Sequence, residues 1–351
     1  MDEILKHSSA VRAELASFIE SKRRRTGETA WLADFLDRLE NYATGGKLLR
    51  GSLLCFSYAS FANKLPGEAV IKAAAALEMT HSALLIHDDI MDGDDLRRGQ
   101  PSLHSQYRTL ARNNNLPNSH QLGLNLALGA GDAVIFMAVE MLSQALNETS
   151  AKEKLLELYI NQLILTCDGQ MEDIYLGAQK DMPSKSEIYE LMATKTAGYT
   201  IVLPIKMGAM LAGQAADDLD KLDAAGRAIG TIFQIRDDEL GVMGDVHKTG
   251  KSVGSDIKQG KKTLLYYFLL EKSPPKQRAE IETIFGNPML TAKDISYVQK
   301  LVEEAGVIDL LGQEVQGLKD KAVVAINQLP LPVEAKNQLI DLVDFCSKRQ
   351  L

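Results

Sequence analysis

The chain has 351 residues, of which 45% are hydrophobic, enough to bury a large core. Its formal net charge of −8 argues against nucleic acid as the main partner, because phosphate backbones attract basic surfaces. Cys55, Cys167 and Cys346 are far apart and odd in number, which argues against a disulfide framework or a zinc site and indicates a reducing compartment. No linker is evident, so residues 1–351 are predicted to form a single domain.

Two stretches bear on targeting. The first 25 residues have the pattern of an amphipathic helix and lack the apolar core and cleavage site of a signal peptide. The most apolar stretch, LGLNLALGAGDAVIFMAVEML, contains Asn125 and Asp132. With these polar residues, no clean run is long enough to span a bilayer, so we expect a buried core helix and no transmembrane segment. The predicted location is cytoplasmic.

Helical periodicity dominates the sequence and strand signals are nearly absent, which predicts an all-α fold. The helices are predicted, within a few residues at each end, at 2–23, 28–42, 46–63, 66–92, 104–112, 121–147, 151–178, 185–197, 199–213, 216–242, 261–272, 276–286, 292–305, 307–328 and 332–348. The one long polar loop, 243–260, is rich in Gly and Lys. Loops of that length inside a compact domain are often functional.

The first segment able to carry chemistry is GGKLLRG, residues 45–51, at the predicted start of a helix. Lys47 and Arg50 are three residues apart, which predicts that they share one helical face. Helix N-termini also attract anions through free N–H groups and the helix dipole. Taken alone, the segment is better explained as a capped helix start with two solvated bases.

Residues 77 to 104 hold the densest charge cluster, and within it Asp88, Asp89 and Asp92 form a DDxxD motif. Positions i and i+4 lie on one face of a helix, so Asp88 and Asp92 can point the same way. Mg²⁺ takes oxygen ligands and also holds phosphate, which relieves the repulsion between two such carboxylates. Gly93 is predicted to end the helix.

Two arginines, Arg97 and Arg98, follow the aspartates in a predicted loop. Guanidinium groups match phosphate oxygens in bidentate geometry, so this segment suggests a diphosphate handled through magnesium. The alternative is a solvated acidic surface with weak ion pairs. The apolar run before the cluster argues against that alternative, because it places the aspartates at the end of a buried helix. His81 lies on the same face as Asp88, where a histidine is more often a core residue than a ligand contact.

Two further fragments lie in the second half of the chain. GQMEDI places Gln170 and Asp173 three residues apart on one helical face. KTA places Lys195 and Thr196 at a predicted helix end near Gly198. Taken alone, each fragment has a purely structural explanation.

FQIRDDELG gives a second acidic doublet, Asp237 and Asp238, on an apolar helix. The loop that follows, GDVHKTGKSVGSDIKQGKKT, carries Lys251 and Lys261. Together, the fragments of both halves provide two aspartate clusters for metal and separate basic sets able to bind more than one phosphorylated group.

In this order, the motifs resemble those of trans-isoprenyl diphosphate synthases of the polyprenyl synthetase family, and of geranylgeranyl diphosphate synthases within it. The resemblance runs from GGKLLR to GKKT, and the helical pattern matches over nearly the whole chain. It implies a single helical bundle of the isoprenoid synthase type, with a central cavity and two aspartate-rich helices, assembled as a homodimer. It also implies Mg²⁺-dependent head-to-tail condensation of isopentenyl diphosphate with an allylic diphosphate, releasing pyrophosphate.

The resemblance also implies individual roles. Mg²⁺, as three ions per site with diphosphate bound, is held by Asp88 and Asp92 with Asp89 in support, and by Asp237 with Asp238 in support. The allylic diphosphate is held by Arg97, Lys195, Thr196, Gln234, Lys251 and Lys261, and isopentenyl diphosphate by Lys47, Arg50, His81 and Arg98. Gln170 and Asp173 match a motif beside the metal-bound diphosphate. The residues implied to be catalytic are Asp88, Asp92, Arg97, Lys195 and Asp237. Gly241 stands where some relatives carry a final aspartate, which puts any role of a carboxylate at that fifth position in doubt.

Product length is implied by the residues along the first aspartate helix, where the growing chain lies in this family. The residues four, five, eight and eleven places before Asp88 are Leu84, Ala83, Thr80 and Leu77. A bulky aromatic at the fourth or fifth place stops the chain at C15, and here Ala83 is small and Leu84 is not aromatic. We therefore expect geranylgeranyl diphosphate (C20), with Leu77 and a facing helix around Phe136 and Met137 as the next floor. Alternatively, Ala83 simply packs against a neighbouring helix.

Other activities remain open at this point. A farnesyl or a longer-chain polyprenyl diphosphate synthase would share the same motifs. A class I terpene cyclase also begins from DDxxD, but it would leave GGKLLR, His81 and Arg98 without a role. A non-catalytic regulatory subunit should have lost aspartates from one motif, and neither motif is lost here.

Overall fold

Helices dominate the protein in the computed structural model, which describes residues 1–25, 30–215, 219–244 and 254–348. Within these ranges the strands are limited to one two-stranded hairpin. The prediction of an all-α fold is confirmed. The chain divides into two compact units, Met1–Glu157 with Pro204–Leu219, and Leu158–Leu203 with Asp220–Leu351. The single domain expected over residues 1–351 stays a prediction.

The first unit is built around one long buried helix. Its helices are α1 (Asp2–Leu5), α2 (Ser8–Arg25), α3 (Ala30–Ala43), α4 (Leu49–Ala62), α5 (Glu68–Asp92), α6 (Leu103–Asn113) and α7 (Ser119–Ala145), with the hairpin β1 (Leu96–Arg97) and β2 (Gln100–Pro101) after α5. Helix α5 packs on α2, α4 and α7. Its four consecutive alanines, Ala73 to Ala76, are fully buried, so their small side chains let several helices approach α5 at once.

The second unit takes up α8 (Lys152–Ala178) from Leu158 onward. It continues with α9 (Lys185–Met192), a π-helix (Ala193–Val202), α11 (Asp220–Met243), α12 (Ser255–Gln259), α13 (Leu264–Lys272), α14 (Pro275–Ile284), α15 (Ala292–Glu304), α16 (Val307–Asn327) and α17 (Val333–Ser347). Helix α10 (Leu203–Leu211) follows the π-helix and lies almost entirely in the first unit. Within the second unit, α11 packs on the π-helix, α16 and α17.

The predicted helix end near Gly198 is wrong, because the chain stays helical from α9 through the π-helix into α10. The glycine has a packing role instead. A Cβ at Gly198 would lie 2.3 Å from Nε2 of Gln162 on α8, so the glycine leaves room for the Gln162 side chain. Gly230 of α11 makes a similar contact, since its Cβ would lie 2.4 Å from Cα of Ala197. The extra residue of a π-helix is frequently found at functional sites.

The prediction that no run is long enough to span a membrane is wrong by length and composition for α5 and α7. The core helices of globular proteins also pass that test, and 67% of the apolar window of α5 is buried. For α7 the buried share is only 33%, so α7 is not the fully buried helix that its sequence predicted. Leu128, Phe136 and Val139 of α7 are exposed apolar residues.

Candidate active site

The first aspartate cluster, Asp88, Asp89 and Asp92, ends α5. Gly93 terminates the helix as predicted, with φ of +67° and its N–H donating to the carbonyl of Asp89. The hairpin that follows turns at Arg98 and Gly99, both at positive φ, and pairs Arg97 with Gln100. This tight reversal carries Arg97 back to the aspartates it follows in sequence.

Asp89 is buried, with only 1% of its surface exposed to solvent. Nε of Arg97 donates to its Oδ1 at 2.6 Å, and the hydroxyl of Tyr42 donates to its Oδ2 at 2.5 Å. Burial raises the pKa of Asp89, and the Arg97 guanidinium opposes that rise. Burial alone would lower the pKa of Arg97, but Asp89 and Asp88 outweigh it and raise that pKa. Arg97 and Asp89 therefore form a buried ion pair.

Asp88 is more accessible, with 23% of its side chain exposed and its Oδ2 3.2 Å from Nη2 of Arg97. Asp92 is also only partly buried. Among the described residues, no group of three or more His, Cys, Asp or Glu is arranged to hold a metal ion. Two carboxylates one turn apart instead fit Mg²⁺ as it is usually bound beside phosphates, through one or two carboxylates plus substrate oxygens.

Basic side chains lie close together where α4 and α5 pack. Buried Glu78 of α5 accepts a hydrogen bond from the N–H of Gly51 at 2.7 Å. Burial raises the pKa of Glu78, and Arg50 opposes the rise. Burial, followed by the positive charges of Arg50 and Arg98, holds the pKa of His81 well below its ordinary value, so the ring is neutral near pH 7. Arg50, His81 and Arg98 are therefore brought together, as the sequence predicted.

Arg98 lies against two glycines of the GGKLLRG segment. A Cβ at Gly45 would lie 2.9 Å from Nη1 of Arg98, and one at Gly46 would lie 2.9 Å from its Cζ. Nη1 of Arg98 also donates to the carbonyl of Tyr42 at 3.3 Å. Because both glycines lack a side chain, the guanidinium of Arg98 can lie against them.

The argument that Lys47 shares a helical face with Arg50 is wrong. Helix α4 begins at Leu49, and Leu48 before it has a left-handed backbone with φ of +52°. Lys47 therefore precedes the helix, where it is exposed, whereas Arg50 is buried in the first turn.

The second aspartate cluster, Asp237 and Asp238, lies near the end of α11. Oγ1 of Thr196 donates to Oε1 of Gln234 at 2.7 Å, and Nε2 of Gln234 donates to Oδ1 of Asp238 at 2.6 Å. Burial, and then the Asp256 carboxylate, raise the pKa of Asp238 well above its ordinary value. This chain of hydrogen bonds fixes the amide of Gln234 between the π-helix and α11.

Two lysines of this unit are each paired with a carboxylate. Nζ of Lys195 contacts Asp173 of α8, and Gly169 allows the close approach because its Cβ would lie 2.8 Å from the backbone nitrogen of Lys195. Nζ of Lys261 lies 3.2 Å from Oδ1 of Asp256. One small cavity is lined by the predicted residues Asp173, Lys195, Thr196, Gln234, Asp238 and Lys261. Gln170 is partly buried on the preceding turn of α8, and Lys251 lies outside the described residues.

Four residues at these clusters had not been predicted. Tyr42 and Glu78 carry no local signal, because each contacts its partner through tertiary packing. Asp256 lies in the long polar loop and Lys262 in the GKKT segment. The charged residues of these two segments were the signal that could have identified them. Lys262 is buried, lines the same cavity, and holds its ammonium 5.0 Å from the centre of the Tyr266 ring.

The residues expected to limit product length lie along the middle of α5. Leu77, Thr80 and Ala83 are buried and Leu84 is partly exposed. The expectation that Phe136 and Met137 form the next floor stays a prediction; 73% of Phe136 is exposed, while Met137 beside it is buried. Adjacent residues on a helix point about 100° apart, which separates these two neighbours.

Comparison with known proteins gives consistent results. A sequence model of the family described as polyprenyl synthetase matches residues 30–304. The chain is 35% identical over 243 residues to the short chain isoprenyl diphosphate synthase of Methanothermobacter thermautotrophicus, covering 69% of each protein. It is 30% identical over 310 residues to the geranylfarnesyl diphosphate synthase of Aeropyrum pernix, covering 87% of this chain and 91% of that one. Its structure matches a geranylgeranyl pyrophosphate synthase from Corynebacterium glutamicum, complexed with isoprenyl diphosphate and magnesium, with a TM-score of 0.92, 29% identity and coverage of 98% and 99% of the two chains.

Proposed function

The chain belongs to the polyprenyl synthetase family, and we propose that it joins isopentenyl diphosphate to an allylic diphosphate to make geranylgeranyl diphosphate (C20). The resemblance predicted from the sequence motifs is thereby confirmed. The protein is a prenyl diphosphate synthase, a transferase of a family that uses Mg²⁺. The named relatives are consistent with a product of C20 or longer.

The C20 assignment rests on one observation, the small side chain of Ala83 beside a non-aromatic Leu84. The hydroxyl of Thr80, one turn earlier, donates to the carbonyl of Ala76 at 2.8 Å, so its polarity is satisfied within the helix. No bulky ring on this part of α5 stops a chain at C15. Chromatography of the dephosphorylated products tests the proposal. A dominant C15 product would refute it, and C30 or longer would place the floor beyond Leu77.

Ala83→Phe is expected to shorten the product, because an added ring would intrude on the growing tail. Ala74→Phe is the matched control, since Ala74 is equally buried but nine residues away, on the opposite face of α5. Both variants risk a loss of about 1–3 kcal/mol by overpacking, which urea unfolding measures separately. Equal shortening by both variants would show that overpacking, and not a floor at Ala83, changes the product.

The roles that we assign follow from what the reaction requires. Breaking the allylic C1–O bond leaves a carbocation and a diphosphate on which negative charge grows, and the cationic Arg97 and Lys195 stabilise that charge. Mg²⁺ held by Asp88, Asp92 and Asp237 would supply further positive charge to stabilise the same leaving group. The C=C of isopentenyl diphosphate then attacks C1, and the departing pyrophosphate accepts the proton that is lost. No dedicated side-chain base is therefore needed.

We assign Mg²⁺ binding to the more accessible aspartates, Asp88 and Asp92 in the first cluster and Asp237 in the second. Asp89 and Asp238 support them from buried positions, since the first is paired with Arg97 and the second is hydrogen-bonded to Gln234. The ions number three per site in this proposal. Isopentenyl diphosphate is assigned to Lys47, Arg50, His81 and Arg98. The allylic diphosphate is assigned to Arg97, Lys195, Thr196, Gln234, Lys251 and Lys261.

Purified protein supplied with isopentenyl and allylic diphosphates separates this function from its alternatives. Chain elongation supports the proposal, a cyclic hydrocarbon would indicate a terpene cyclase, and no product would indicate a regulatory subunit. A cytoplasmic location stays a prediction.

We also infer that the protein forms a homodimer. Leu128, Phe136 and Val139 are exposed apolar residues on one side of α7, and exposed apolar surface is typical of interaction sites. Phe136→Asp is expected to yield a monomer in light scattering at micromolar concentration. Leu65→Asp, which alters an apolar side chain exposed elsewhere in the first unit, should leave the mass unchanged. A wild-type monomer with full activity would refute the inference.

A further inference from the structure

The fifth position of the second aspartate motif is Gly241, but its side-chain space is not empty. A Cβ built on Gly241 would lie 2.1 Å from Oδ2 and 2.9 Å from Cγ of Asp256. Real Cβ atoms do not come that close to another heavy atom. The carboxylate of Asp256 therefore occupies the space that a side chain at position 241 would need.

The backbone on both sides of Asp256 is fixed. The N–H of Gly254 donates to the carbonyl of Gly241 at 3.2 Å, which joins the start of α12 to the end of α11. The N–H of Lys261 donates to the carbonyl of Asp256 at 3.0 Å. These two hydrogen bonds place the Asp256 side chain beside Gly241 and the Lys261 side chain beside Asp256.

The Asp256 carboxylate has a second neighbour in Lys261. Its Oδ1 lies 3.2 Å from Nζ of Lys261, and both side chains are largely buried. A lysine ammonium on a four-carbon stem has many rotamers, so a fixed partner substantially restricts where it lies. Lys261 lines the same cavity as Lys195 and Thr196, and its position there decides what it can contact.

We propose that Asp256 is a positioning residue, whose carboxylate uses the space left by Gly241 to hold the Lys261 ammonium at this cavity. The inference rests on the proposed function, in which Lys261 binds the allylic diphosphate. Asp256 is not assigned as a metal ligand, because its carboxylate is paired with the Lys261 ammonium at 3.2 Å. Restoring an aspartate at position 241 would thus displace the Asp256 carboxylate and harm the site, rather than add a ligand to it.

The test measures binding of inorganic pyrophosphate in the presence of Mg²⁺ by titration calorimetry, which needs no turnover. Gly241→Asp and Asp256→Ala are each expected to raise the dissociation constant about tenfold, the usual scale for losing a supporting residue. The double variant Gly241→Asp/Asp256→Ala carries a carboxylate in the same space from the other element. We expect it to recover to within about threefold of wild type, a coupling that independent sites do not show. Gly317→Asp on α16 is the control, because nothing lies within 4 Å of a Cβ there.

Kinetics give a second readout. Gly241→Asp should raise KM for the allylic substrate more than it lowers kcat, and leave KM for isopentenyl diphosphate near wild type. Asp256→Asn keeps the shape of the side chain and removes its charge, so it should weaken pyrophosphate binding even if Asp256→Ala folds poorly. Tighter binding by Asp256→Asn would mean that Asp256 only repels the anion, and would overturn the positioning role.

Two further outcomes would also overturn the inference. One is a Gly241→Asp variant that binds pyrophosphate as wild type does. The other is a double variant as weak as its two single changes combined. A wild-type protein that binds pyrophosphate but elongates nothing would instead refute the proposed function, so the two failures are distinguishable.

Discussion

The two aspartate clusters bury one carboxyl each, but they balance its charge differently. Asp89 accepts from the Arg97 cation and from Tyr42, whereas Asp238 accepts from the neutral amide of Gln234. Burial raises the pKa of both, only modestly for Asp89 because Arg97 opposes the rise, but well above the ordinary value for Asp238. The first cluster thus keeps a buried charge by pairing it, and the second favours a neutral buried carboxyl. A buried carboxyl in a DD pair can therefore be stabilised either by an ion pair or by a hydrogen bond from a neutral amide.

The largest effect is expected from removing the accessible aspartate that begins each cluster. Asp88→Ala or Asp237→Ala should each lower kcat at least about a hundredfold, the scale for losing one preorganised electrostatic group in a transition state. Circular dichroism and thermal unfolding should show an intact fold, since neither side chain is fully buried. Elongation at a near wild-type rate by either variant would show that its metal assignment is wrong.

The next prediction compares the two buried aspartates directly. Asp89→Asn leaves the buried Arg97 without its closest charged partner. We expect a loss of up to about 3 kcal/mol in the free energy of unfolding, the low end for breaking a buried ion pair, because Asp88 still lies 3.2 Å from Arg97.

Asp238→Asn is the matched change in the second cluster, and its carbonyl oxygen can still accept from Gln234. We expect a change within about 1 kcal/mol, the worth of an ordinary hydrogen bond. Urea unfolding of both variants measures the contrast. Equal losses would mean that the two buried carboxyls are in the same charge state, and the comparison would fail.

The sequence predicted those features of the clusters that depend on neighbouring residues. The shared face of Asp88 and Asp92 and the helix end at Gly93 follow from helix geometry within one turn. The predicted helix 2–23 is present except for a break after Leu5, which divides it into α1 and α2. Local rules were sufficient for these features because every partner lies within a few residues.

Contacts between distant residues were not predictable in this way. Tyr42 reaches Asp89 across 47 residues, and no local pattern indicates such a bond. Glycines were the main source of error, because one residue type has several uses. Gly198 suggested a helix end but makes room for the Gln162 side chain, and Gly241 suggested a missing ligand but makes room for Asp256. Only the packed structure distinguishes these uses.

The smallest expected effect is the contribution of His81, which lies among arginines of the first unit, to the pH dependence of stability. His81 is partly buried, and its pKa is held well below 6.5 by the desolvation of its ring and then by Arg50, Arg98 and Arg97. In the unfolded chain the ring binds a proton near pH 6.5, so below that pH the unfolded state binds more protons and stability is lost as pH falls. Between pH 7.5 and 5.5 this residue alone should cost on the order of 1 kcal/mol.

His81→Gln removes the titrating ring and should shrink the acid-side loss by about that amount, as measured by urea unfolding at the two pH values. His120→Gln, which removes an exposed histidine of α7, is the matched control and should change the acid-side loss less. Because the arginines oppose protonation of His81, adding Arg98→Ala should relieve part of the loss in a chain that keeps His81. An acid-side loss unchanged by His81→Gln would mean that the ring is protonated in the folded protein. It would contradict our inference that a neutral His81 lies among these arginines.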